Sequence, residues 1–202
     1  MRTRLLVCFF LVFGSAVQAQ QWAFELWHDG KIVLVTGDTL KGLVKYDLQQ
    51  DIVQYNAQRG NIEAYSARKV LFFEIFDTTV GHYRQFYALP YNTSSGYRTA
   101  VFFELLAEGK MTLLTRESLE YRTYSSPYYY GSYSRQVLVY RFYLLEESGN
   151  IVEFVGKKAE LMTLMGKRSE AVEKYIKENK LKVEDRDDLA KIVAYYNSFF
   201  KA

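Results

Sequence analysis

The sequence predicts a mainly β fold with C-terminal helices (α+β): an antiparallel meander forming a sandwich or curled barrel, followed by two to three short amphipathic helices. Three observations lead there. Short aromatic and β-branched runs recur at intervals of about ten residues from Trp22 to Val155, separated by polar turns that carry glycine. Within several runs both alternating faces are apolar, as Val137 and Val139 are against Leu138, Tyr140 and Phe142, which suits strands covered on both sides. After Gly156 the apolar spacing changes from two to three and four, the period of a helix.

The chain opens with Met1-Arg2-Thr3-Arg4 and an apolar run from Leu5 to Phe13, broken by Gly14 and Ser15. Val17-Gln18-Ala19 then offers the small residues that signal peptidase needs before Gln20. A run of about nine residues is well short of the roughly twenty that cross a bilayer, so residues 1–19 read as a cleavable export signal. Cys8 sits early in that run behind Val7, which lacks the small residue expected before a lipoprotein cysteine. Cleavage would remove the one cysteine together with Arg2 and Arg4, taking Lys+Arg from 26 to 24 against 23 acidic residues. A nearly neutral chain without cysteine gives no electrostatic case for nucleic acid and no route to disulfides, thiolate metal sites or a thiol nucleophile.

Residues 20–156 form the expected antiparallel β-domain. Lys31 to Thr36 is a β-branched strand, Gly37-Asp38 turns it into Leu40 to Tyr46, and Ile52 to Asn56, Ile62 to Tyr65 and Lys69 to Phe76 follow. Two hairpins come next: Tyr97 to Leu106 with Lys110 to Arg116, and Gln136 to Leu145 with Ile151 to Val155. Residues 157–202 form a helical segment that packs on this domain. Lys157 to Met165 is a first helix stopped by Gly166, Ser169 caps a second that runs to Lys177 and closes at Asn179, and Asp185 caps a third with Asp188 behind it. Each helix carries one apolar stripe and therefore needs a surface to dock on.

The candidate chemistry is sparse. His28 and His82 lie about fifty residues apart beside turns and read as surface histidines, with no metal site and no cofactor implied. Glu74, Glu104 and Glu153 fall among apolar strand residues. Either they point outward, which is the commoner arrangement, or two among Glu74, Glu104, Glu153 and Asp77 face each other in a hydrolase cleft. Asp185-Arg186-Asp187-Asp188 lacks the glycine and distal glutamate of a calcium loop and reads as a helix cap. No phosphate-binding glycine loop or nucleophile elbow is present.

One segment stands apart. Tyr121, Tyr124, Tyr128, Tyr129, Tyr130 and Tyr133 alternate with Ser125, Ser126, Pro127, Gly131 and Ser132, and Arg116, Arg122 and Arg135 flank them. Tyrosine supplies broad amphipathic contact area at low entropic cost while serine and glycine let the backbone adapt, a pairing used by binding loops. The plain alternative is a hairpin tip that tolerates tyrosine. On this reading Tyr124, Tyr128, Tyr129, Tyr130, Tyr133, Arg122 and Arg135 contact a protein or glycan partner of the cell envelope. The chain is then an exported, non-enzymatic protein of the periplasm or cell surface. A second reading is a carrier whose curled sheet encloses an apolar or glycan ligand between Phe72, Phe86, Phe103 and Tyr140. A carboxylate-based hydrolase is third.

The Gly37-Asp38-Thr39-Leu40-Lys41-Gly42 stretch, the Tyr175-Ile176-Lys177-Glu178-Asn179-Lys180-Leu181 ending, Asp188-Leu189 and Tyr195-Tyr196-Asn197 resemble a group of secreted β-rich proteins of Gram-negative bacteria with no known activity. The resemblance covers most of the chain beyond the signal through short structural motifs. It implies periplasmic or surface residence and supplies no catalytic or binding residue.

Overall fold

The computed structural model describes residues 22–57, 60–92, 96–125 and 131–200. Ten antiparallel strands make one open sheet: β1 (His28–Leu34), β2 (Thr39–Asp47), β3 (Ile52–Asn56), β4 (Ile62–Ser66), β5 (Val70–Asp77), β6 (His82–Asn92), β7 (Arg98–Ala107), β8 (Thr112–Ser125), β9 (Ser132–Leu145) and β10 (Ile151–Phe154). Their order, β10-β9-β8-β7-β6-β5-β1-β2-β3-β4, joins two meanders through the pairing of β1 with β5. The strand absent from the sequence reading is β6. Its Pro90 argues against a central strand, yet the pairing of β6 with β5 ends at Tyr87, so Pro90 lies where β6 has one open side.

Two glycines are dictated by backbone approach. A Cβ on Gly30 of β1 would lie 2.2 Å from the Glu74 carbonyl oxygen of β5, and one on Gly42 of β2 would lie 2.9 Å from the Asn56 carbonyl oxygen of β3. The Gly-Asp-Thr-Leu-Lys-Gly stretch is thus shaped at one end by the turn at Gly37, with φ 92°, and at the other by close strand packing.

The sheet curls strongly without closing. Tyr46 of β2 meets Phe102 of β7 with ring centroids 5.8 Å apart, although three strands separate them in the sheet order. A flat sheet would hold them about 19 Å apart at its ordinary strand spacing. Ile32, Val44, Val53, Phe73 and Phe86 fill the curl with Tyr46 and Phe102, and Phe73 stacks on Phe86 at 4.6 Å. A second core lies farther along the order, where Leu113, Phe142 and Phe154 meet the helices. A third, around Phe103, Leu114 and Tyr143, covers the reverse face. The fold is therefore a curled, unclosed sheet.

Three helices complete it: α1 (Lys158–Met165), α2 (Ser169–Glu178) and α3 (Arg186–Ser198). Their apolar stripes bury Leu161, Val172, Ile176, Leu189, Ile192 and Val193 against the second core. Ser169 is the first helical residue of α2 and makes no cap, because a 3-10 turn at Gly166–Arg168 carries the chain almost directly from α1 into α2. Asp185 does cap α3, accepting from the Asp187 and Asp188 amides at 3.1 and 3.0 Å. Near the other end of α3, buried Asn197 accepts from the Met111 amide at 2.9 Å and donates to the Glu108 and Met111 carbonyls at 3.2 and 2.8 Å. That one side chain ties α3 to the β7–β8 turn.

Candidate functional site

The tyrosine segment is a two-stranded arm. β7 and β8 pair from Glu104/Thr115 to Ala107/Leu113 and diverge beyond, and β10 pairs with β9 only from Phe142 to Leu145. From Arg116/Arg141 outward to Ser125/Ser132, β8 and β9 therefore pair only with each other. The loop expected across this segment is strand up to Ser125 and again from Ser132. Tyrosine and threonine favour the pleated conformation, and they override the loop-like serines. Tyr128, Tyr129 and Tyr130 lie outside the described residues.

Because side chains alternate across a strand, the arm has two unlike faces. One carries the cross-strand pairs Arg116/Arg141, Ser118/Val139, Glu120/Val137, Arg122/Arg135 and Tyr124/Tyr133. The other, toward the tip, carries Tyr121/Gln136, Thr123/Ser134 and Ser125/Ser132. On the first face Tyr124 and Tyr133 stack at 5.6 Å, and the Arg135 guanidinium lies 4.7 Å above the Tyr124 ring. Tyr121 is 74% and Tyr133 55% exposed. At the base of this face Arg116 pairs with Asp51 at 3.1 Å and Arg141 with Glu120 at 3.0 Å. No ion pair joins Arg122 or Arg135 to an acid among the described residues. Four of the residues expected to bind, Tyr124, Tyr133, Arg122 and Arg135, thus come together on one surface.

A buried charge cluster lies at the root of the arm's other face. Arg84 of β6 holds Glu104 of β7 through two hydrogen bonds of 2.8 Å, Asp77 of β5 at 3.2 Å and Glu117 of β8 at 2.5 Å. Arg186, the first residue of α3, also donates to Glu104, at 2.5 Å, sharing Oε1 with Arg84. Three carboxylates and two guanidiniums from four adjacent strands and a helix therefore share one interior site between the two apolar cores. Arg186 also lies over the Tyr140 ring at 5.8 Å.

The carboxylates of the cluster differ in state. Burial raises Asp77, but hydrogen bonds from the Thr79 hydroxyl and amide, and then from Arg84, outweigh it and hold this carboxyl below its ordinary value. Burial dominates at Glu117; Arg84 pulls the other way, Glu104 pushes up further, and the balance is a raised value. Arg84 is disfavoured by burial yet held firmly charged by Glu104 and Glu117.

The cluster corrects one expectation. Glu104 is buried at 3% exposure rather than facing solvent, while Glu153 is exposed and Glu74 is held by Lys31 and Gln85. Asp77 and Glu104 do converge, each hydrogen-bonded to the Arg84 guanidinium. His28 is also buried rather than at the surface, with Nε2 2.8 Å from the Ala23 carbonyl oxygen. Among the described residues no three His, Cys, Asp or Glu side chains gather as a metal site.

The four aromatics expected around an enclosed ligand are placed apart. Phe86 is packed inside the curl, Phe72 and Phe103 belong to the reverse face, and Tyr140 sits beside Arg186. The signal missed in the sequence was Arg84, a lone cation in an aromatic strand, which only the register of β6 aligns with three acids. No family model, no curated protein and no solved structure matches this chain.

Proposed function

We propose that this is an exported, non-enzymatic protein of the cell envelope or surface that works by binding a partner through the β8–β9 arm. One observation carries the reading. The outer half of the arm pairs only with itself and presents stacked tyrosines and arginines to solvent on a strand pair that lends nothing to either core. An isolated two-stranded ribbon is barely stable in water, so keeping a long aromatic one has a use beyond folding. No helix among the described residues is long and apolar enough to cross a membrane.

The test is native mass spectrometry of the chain purified from its own envelope, beside a variant with Tyr124→Ser and Tyr133→Ser. A mass beginning at Gln20, with a bound partner that the variant loses, is the expected result. Equal partner recovery from both proteins would overturn the assignment to the arm, and a retained N-terminus would overturn the export reading.

A further inference from the structure

We propose that the Arg122/Arg135/Tyr124/Tyr133 face of the arm is a binding site for an acidic glycan, a polysaccharide bearing carboxylate groups; this rests on the arm being the contact surface. The first argument is charge. Arg122 and Arg135 stand directly opposite each other across the ribbon, where like charges repel. The arginine pair at the base of the same face has Asp51 and Glu120 as partners, whereas the tip pair has no acid among the described residues. The face is left with an uncompensated double positive charge, and two guanidinium forks offer bidentate donors to a carboxylate.

The second argument is shape and surface. The stacked Tyr124/Tyr133 pair lies one same-face step beyond the two arginines; Arg135 already lies over the Tyr124 ring, so Tyr133, 55% exposed, is the ring left for the carbon face of a sugar. Toward the base the same face runs into a hollow of about 300 Å³ lined by Arg116, Ser118, Glu120, Arg141, Tyr143 and Leu48. There the Ser118 hydroxyl is buried with no partner among the described residues. A hollow walled by an arginine–glutamate pair suits sugar hydroxyls. The two arginine pairs are six residues apart on β8, about 20 Å at ordinary strand rise, the reach of a chain rather than of one small ion.

The third argument decides between glycan and acidic peptide. An extended peptide binds a sheet through its edge, where its amides and carbonyls find partners. The charged stripe lies on a face, whereas the backbone groups of the ribbon point to its two open edges, so a peptide held by the stripe would gain no main-chain hydrogen bonds there. A glycan needs none.

The test is affinity electrophoresis of the purified full chain through gels containing alginate, dextran or poly-L-glutamate, at low and moderate salt. Alginate should retard the chain, dextran should not, and salt should weaken the retardation. Arg122→Ser with Arg135→Ser should weaken alginate binding about tenfold or more, and this variant relieves repulsion, so it folds. Tyr124→Ser with Tyr133→Ser should also weaken it. Thr123→Ala with Ser134→Ala on the opposite face should leave it within about twofold, since neither side chain reaches the stripe. Absence of alginate retardation, stronger retardation by poly-L-glutamate, or an equal loss in the opposite-face variant would each overturn the glycan assignment. The partner-binding reading would survive any of these results if the tyrosine variant still lost its envelope partner.

Discussion

Glu104 is the residue on which the interior charge depends, because among the described residues it alone holds both Arg84 and Arg186. Glu104→Gln should cost about 3–5 kcal/mol, the usual effect of leaving buried charge uncompensated. Glu117→Gln should change stability by less than about 1 kcal/mol at neutral pH, because the charge it deletes is one that burial already disfavours. The pH dependence follows from the two shifted carboxyls. Glu117 is raised above its ordinary 4.5, so it subtracts stability as pH climbs from that value through its folded one, and acidification toward 4.5 restores it. Asp77 is lowered below its ordinary 3.8, so it adds stability that is present above 3.8 and lost as pH falls through its folded value. Urea midpoints measured from pH 8 to pH 3 should therefore rise on mild acidification in the wild type and fall at the acid end. In Glu117→Gln the early rise should be smaller.

Elements are joined by few but specific contacts. Asn197 makes three hydrogen bonds from α3 to the β7–β8 turn, and a Cβ on Gly109 in that turn would fall 2.6 Å from the Asn197 side chain. Asn197→Ala should cost about 2–4 kcal/mol, and hydrogen exchange should quicken in α3 before it quickens in the sheet. Asp185→Ala at the other end of α3 should cost only about 1 kcal/mol, the value of a cap. The arm inverts this logic. Arg122→Ser removes one of two facing positive charges and should be neutral or stabilising by a few tenths of a kcal/mol in thermal unfolding, since a like-charge cross-strand pair is lost. An arginine there that opposes stability is what a binding surface, rather than a fold, requires.

Across the whole molecule, stability resides in the curl and in the helix-covered core, and the outer arm stands outside both. Replacing residues 121–136 by a two-residue turn should shift Tm by no more than about 4 °C, the equivalent of about 1 kcal/mol in a chain of this size. Leu189→Ala, at 0% exposure in the core shared by helices and sheet, should cost about 2–5 kcal/mol. If the shortened chain instead unfolded like Leu189→Ala, the arm would be part of the folding unit.

Local chemistry was legible in the sequence wherever neighbours along the chain sufficed. The alternating runs placed nine of the ten strands, the apolar stripes placed the helices, and Asp185 was readable as a cap because its partners lie two and three residues away. The arm's residues were legible as a binding composition, but their division into a charged, aromatic face and a hydroxyl face was not, since that depends on Tyr124 standing opposite Tyr133 and Arg122 opposite Arg135. β6 was absent from that reading, and its Pro90 is tolerated through the one-sided pairing that the sheet gives it. The meeting of Asp77, Arg84, Glu104, Glu117 and Arg186 was likewise decided in three dimensions. Periodicity and caps are written in contacts of a few residues, whereas register and curl bring together groups up to about a hundred residues apart, and no local pattern encodes which of them will meet.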